Sequence, residues 1–144
     1  MLDAISKLPG ESIVVALGLA PAQAAACTTA KTQVLAQPVA LAPLLAECDL
    51  CICHGGPGTI AHSLRAGVPL ALVPEHLEQV LVARQVASAG AAVIWAPEAA
   101  ATGLARWLAE AAANESIRKA AAASALRGRM PRDAAARVAA MLGA

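Results

Sequence analysis

Between Leu50 and Thr59 the chain reads LCICHGGPGT, a short apolar segment that runs into a glycine-rich turn and then a helix-forming stretch. That order of residue types suits an anion. Glycines let the backbone approach a ligand closely, and the first amides of a helix lack intrahelical acceptors and point outward with partial positive charge. A helix N-terminus favours a negative group by about 0.3–2 kcal/mol, and a diphosphate brings more than one charge to it. His54 and Thr59 flank the turn as side-chain donors. The same ten residues also read as a tight strand-to-helix turn whose glycines serve packing, and taken alone they leave both readings open.

A second group follows at Pro74–Gln79, PEHLEQ. Glu78 and Gln79 offer a carboxylate and an amide suited to sugar hydroxyls. They equally suit an ordinary polar first turn of a helix, where acids are favoured.

The elements that position these residues alternate along the chain. Strands are expected at Ser12–Leu17, Lys31–Leu35, Leu50–Cys53, Pro69–Val73 and Ala92–Trp95. Helices are expected at Pro21–Ala30, Leu41–Glu47, Gly58–Ala66 and Glu78–Ala89, then at about 98–113, 115–127 and 132–142, the last opened by Pro131. Short continuous apolar strands separated by helices predict a Rossmann-like α/β/α domain of three layers around a parallel sheet. In such sheets ligands sit beyond the carboxyl ends of the strands, at a topological switch point. His54–Thr59 follows the third strand and Pro74–Gln79 the fourth. If those strands are neighbours, both loops face one crevice, which favours the ligand reading.

Cys48, Cys51 and Cys53 precede His54, a grouping that raises metal ligation. On a strand, however, Cys51 and Cys53 share one face and His54 points to the other. A closed zinc site needs four convergent ligands, and Cys27 is the only other thiol. Reduced cysteines filling the sheet are therefore expected, with no metal, in a cytoplasmic protein.

The 144 residues predict a single domain over 1–144. Their 58% hydrophobic content and mean hydropathy of +0.61 come largely from alanine, more than a quarter of the chain and a helix former rather than a lipid anchor. No long apolar run escapes Pro, Gly or charge, so no transmembrane segment is expected. Lys7, the apolar run Ile13–Leu17 and Ala22-Gln23-Ala24 imitate a secretory signal, but Asp3, Glu11 and Pro9-Gly10 break it, and a first strand is the better reading. A net charge of +1, no Phe or Tyr, and only Trp95 and Trp107 leave no footprint for nucleic acid. Arginines do concentrate beyond Leu104, at helical spacing that reads as a solvated face.

The segment LLAECDLCICHGGPGTIAHSLRAGVPLALVPEHLEQVLVARQVASAGAAVIW resembles the nucleotide-sugar-binding, C-terminal half of GT-B fold glycosyltransferases, in particular the UDP-glycosyltransferase and macrolide-glycosyltransferase group. HGGxGT, AGVP and P-x4-Q at these spacings carry the likeness, which spans the middle of the chain from about Gln37 to Trp95. By position, the resemblance implies that His54, Gly55, Gly56, Pro57, Gly58 and Thr59 meet the donor diphosphate, and that Glu78 and Gln79 hold the donor sugar's hydroxyls. It also places Gln37, Pro38 and Val39 beside the base.

Two departures stand out. His62 occupies the position where relatives carry a Glu for the ribose hydroxyls, and imidazole cannot replace a bidentate carboxylate. Gly18-Leu19-Ala20 closes the first strand where relatives follow the Gly with Ser or Thr on the phosphate, leaving Gly18 as the first-loop residue.

What the resemblance implies is a donor-binding domain that takes a UDP- or dTDP-sugar as substrate, without cofactor or metal. The sugar would pass to a hydroxyl acceptor held by an N-terminal acceptor-binding domain or by a separate subunit. That domain usually supplies the histidine base, so no catalytic residue is assigned here, and the 144 residues alone are expected to be inactive. The alternative is a non-catalytic nucleotide-binding or regulatory module. With only Gly18 in the first strand-to-helix turn, a dinucleotide cofactor is disfavoured.

Overall fold

The computed structural model describes residues 1–96 and 103–127. Five strands alternate with seven helices among them: α1 Leu2–Ile5, β1 Ser12–Val15, α2 Pro21–Cys27, β2 Thr32–Leu35, α3 Leu41–Leu45, β3 Cys51–Cys53, α4 Pro57–Ala66, β4 Leu70–Leu72, α5 Leu77–Ser88, β5 Ala92–Ile94, α6 Leu104–Ala113 and α7 Glu115–Arg127. The alternation agrees with the expectation from sequence, with α1 added. The expected helix at 132–142 lies outside the described residues, as does the start of the one at 98–113.

All pairing is parallel. It falls into two hydrogen-bonded ladders, β1-β2 and β3-β4-β5. Ser12 to Val15 register against Thr32 to Leu35; Cys51 to Cys53 register against Leu70 to Leu72, and these against Ala92 to Ile94. The edge of β1 away from β2 is not laddered to β3. There Ile13, Val14 and Val15 share a space of about 290 Å³ with Ile52, Cys53 and Val73.

Side chains of β3–β5 alternate between two apolar clusters, as the pleat requires. Leu70, Leu72 and Ala92 face Ile60 of α4 and Ala83 of α5, with Cys51 and Cys53 packed against that cluster. Ala71 faces the other way, against Ile5 of α1 and Leu108 and Ala111 of α6, with Val14, Ile52 and Val93 alongside. The sheet is thus covered on both sides. Val68, Leu70, Ala71 and Leu72 are each 5% exposed or less, the continuous apolar run of a central parallel strand. Trp95, just past β5, meets Trp107 of α6 with ring centroids 5.3 Å apart and planes tilted by 60°, which pins that end of the sheet to the helical layer.

Helix α4, which starts at the glycine turn, is fixed at its far end. Gly67 takes the left-handed C-cap conformation, φ +79°, and the fully buried Ser63 donates its hydroxyl to the Val68 carbonyl at 2.9 Å. The helix therefore cannot slide along the sheet without breaking both.

Candidate functional site

β3 ends at Cys53, and two glycines turn the chain into α4. Gly55 lies at φ +96°, a region closed to side chains without strain. Gly56 is the extended N-cap, and Pro57 opens the helix, where the missing N–H of proline costs nothing. The first helical bond runs from the Ile60 amide to the Gly56 carbonyl at 3.1 Å. Among the described residues no carbonyl or side chain accepts from the amides of Gly58 or Thr59, and no side chain caps α4. A Cβ on Gly58 would meet nothing within 4 Å. The start of α4 is open, with donors aimed outward.

β4 neighbours β3, so the loop after β4 comes to the same edge, as the sequence expectation required. Gln79, in the first turn of α5, joins the two loops. Its amide lies 3.0 Å from His54 Nδ1, and its Oε1 accepts from the backbone amides of Glu75 at 2.8 Å and His76 at 3.3 Å. Gly55 sits directly on this turn: a Cβ there would lie 3.5 Å from the Gln79 carbonyl oxygen. Glu78 is exposed beside it.

Next to the turn a cleft of about 420 Å³ separates β1 from β3. His54 and Thr59 line its polar end. Pro38 and Val39, in the loop after β2, line it together with Leu41, Leu44 and Leu45 of α3. Ile13, Val15 and Leu17 supply the opposite wall and remain 45%, 36% and 65% exposed. A polar end rich in donors and a long apolar wall is the shape that a charged diphosphate with a flat heterocycle would fill.

Three thiols, Cys48, Cys51 and Cys53, also line this cleft. All four cysteines are free; the three at the cleft are half-buried, and Cys51 and Cys53 pack against the apolar cluster beneath α4 and α5. The Cys51 S–H donates to Cys53 and, with burial adding to it, this pushes Cys51 up. The same hydrogen bond pulls Cys53 down to about 7, helped by the Gly55 amide and opposed by burial. Burial raises Cys48, aided by Asp49 and Glu47. Among the described residues no group of three or more His, Cys, Asp or Glu is placed to hold a metal ion.

The structure thus brings together His54, Thr59, Pro38 and Val39 in one cleft, with Gly55, Gly56, Pro57 and Gly58 forming its turn and Gln79 bonded to His54. Gln37 lines a neighbouring depression with Pro21, Ala24 and Val34. Gly18, at φ +93°, is exposed with open space around it. His62 is exposed on α4 and is not among the cleft-lining residues. Sequence reasoning did not anticipate the apolar wall from α3 and β1, nor the Gln79–His54 bond. The run LAPLL and the three-residue step from His76 to Gln79, a capping spacing, were the available signals.

A glycine turn that opens a helix at the carboxyl end of β3 belongs here to a Rossmann-like α/β domain. The sequence profile of the family described as "Erythromycin biosynthesis protein CIII-like, C-terminal domain" matches residues 1–141, and the chain belongs to that family. Similar solved structures are GT-B glycosyltransferases. The glycosyltransferase VinC in complex with dTDP is 28% identical with a TM-score of 0.71, over 86% of this chain and 31% of that one. Spinosyn rhamnosyltransferase SpnG complexed with thymidine diphosphate is 28% identical with a TM-score of 0.72, over 86% of this chain and 34% of that one. Spinosyn forosaminyltransferase SpnP, 20% identical, shares the fold with a TM-score of 0.77 over 99% of this chain and 37% of that one. The chain spans about a third of the length of these proteins. A comparison with curated protein sequences finds no match. No helix among the described residues is long and apolar enough to cross a membrane.

Proposed function

We propose that this chain is the donor-binding domain of a glycosyltransferase and takes a nucleoside-diphosphate sugar, with dTDP preferred over UDP as the carrier. The observation that carries the reading is the open start of α4: two amides without acceptors, beside His54 and Thr59, at the head of an apolar cleft. The diphosphate receives the Gly58 and Thr59 amides, the Thr59 hydroxyl and the His54 ring. The base lies along Pro38 and Val39, and Glu78 with Gln79 faces the sugar. The preference for thymidine rests on VinC and SpnG, which hold dTDP and thymidine diphosphate.

The chemistry these residues perform is binding and stabilisation of the leaving diphosphate, whose negative charge grows as the anomeric bond breaks. Transfer also needs an acceptor hydroxyl held in line and deprotonated. An N-terminal acceptor-binding domain or a separate subunit supplies that, so these 144 residues alone turn over no substrate. No metal is required when helix amides and an imidazole meet the diphosphate. A second reading, a non-catalytic nucleotide-binding module, is favoured by His62 and by the first loop Gly18-Leu19-Ala20, which carries no hydroxyl.

Titration calorimetry with dTDP, UDP and a dTDP-sugar tests the proposal. Binding of dTDP is expected, and the sugar should change its affinity. Failure of both nucleotides to bind would remove the reading; identical affinities for dTDP and its sugar conjugates would favour the second.

A further inference from the structure

Gln79 has a fixed orientation. Its Oε1 accepts from two backbone amides, Glu75 at 2.8 Å and His76 at 3.3 Å. An amide oxygen has two lone pairs, and both are engaged. Turning the carboxamide over would set its NH2 against those two N–H donors. The nitrogen side therefore faces His54, with Nε2 of Gln79 3.0 Å from Nδ1 of the ring. An NH2 group only donates, so Nδ1 must accept, and a neutral ring must then carry its proton on Nε2. The ring is also confined laterally: its Cε1 lies 3.0 Å and its Nε2 3.7 Å from where a Cβ on Gly56 would stand. The imidazole is thus clasped between the α5 cap and the N-cap of α4.

We propose that Gln79 is a positioning residue that holds His54 as its Nε2–H tautomer, so that the ring presents a donor to the diphosphate at the start of α4. This rests on the reading of the glycine turn as the diphosphate site. The oxygen of Gln79 serves the α5 cap and one of its protons serves His54, which leaves its second amide proton and Glu78 for the sugar.

The test is long-range proton–nitrogen NMR of the histidine rings in the unliganded chain, with His54 assigned by its loss in His54→Asn. The parent should show the Nε2–H pattern. Gln79→Glu keeps an oxygen for the Glu75 and His76 amides but turns an acceptor toward Nδ1, so Nδ1 should gain a proton while the helical circular dichroism stays unchanged. Gln79→Leu removes the donor, should produce a mixture of tautomers, and should weaken dTDP binding by about fivefold to tenfold. A parent ring carrying its proton on Nδ1, or a ring whose pattern ignores both substitutions, overturns the positioning role. A parent that binds neither dTDP nor UDP overturns the functional reading instead, and calorimetry reports that separately from the ring spectra.

Discussion

Because a Cβ on Gly58 would meet no heavy atom within 4 Å, Gly58→Val is expected to fold with a stability within about 0.5 kcal/mol of the parent. The same side chain would stand in front of the α4 amides, so dTDP binding should be lost. Unchanged affinity in a normally melting variant would show that the ligand does not use this turn. His54→Ala removes a charge-assisted donor and should weaken dTDP and dTDP-sugar alike, by about 1.5–3 kcal/mol. Glu78→Ala should weaken only the sugar conjugate. Equal losses for both ligands in Glu78→Ala would reject a sugar contact. The acidity of Cys53 gives a further check. With its pKa drawn down to about 7, its alkylation by iodoacetamide should climb as the pH passes through about 7. Cys51, pushed up by the same hydrogen bond, should remain largely unmodified over that range. Peptide mass spectrometry resolves the two, and bound dTDP should slow the Cys53 reaction.

At the scale of elements, α4 is the part whose placement matters most, and its C-terminal anchor can be probed. Gly67 sits at φ +79°, and a Cβ there would come within 3.4 Å of Ala125 on α7. Gly67→Ala is therefore expected to cost at least about 1–2 kcal/mol, the usual cost of the left-handed conformation for a residue with a Cβ, and a chemical melt would measure it. The helix and strand pattern was legible because buried parallel strands are written as short apolar runs between turn residues, as in Pro69–Val73. The glycine turn was legible for a different reason: Gly55 needs a positive φ, and few residue types tolerate one. Element ends were less so. Leu17 continues the apolar run of β1 yet stands 65% exposed beyond it, since apolarity does not say where laddering stops. The wall from Leu41, Leu44 and Leu45 depends on how α3 is carried across β1 and β3, which no local pattern encodes. The Gln79–His54 bond joins residues 25 positions apart; the sequence placed both in one crevice but could not orient an amide.

Across the whole molecule, ligand and fold are linked through mass action. A nucleotide held at about one hundred times its dissociation constant should stabilise the native state by roughly 2.7 kcal/mol. A thermal-shift series across dTDP, UDP and GDP is expected to rank dTDP first, and a flat series would count against nucleotide binding. The parallel ladders and two-sided cover of the described residues agree with the α/β/α architecture expected from sequence, and the family match runs over residues 1–141. The interruption between β1 and β3 carries one more consequence. Without laddering between them, the two ribbons have no shared amide network to make them open together, and hydrogen–deuterium exchange should proceed in two stages, Ser12–Val15 and Thr32–Leu35 ahead of Leu70–Leu72. A nucleotide spanning the gap would act as a staple, and the faster-exchanging ribbon would slow towards its neighbour.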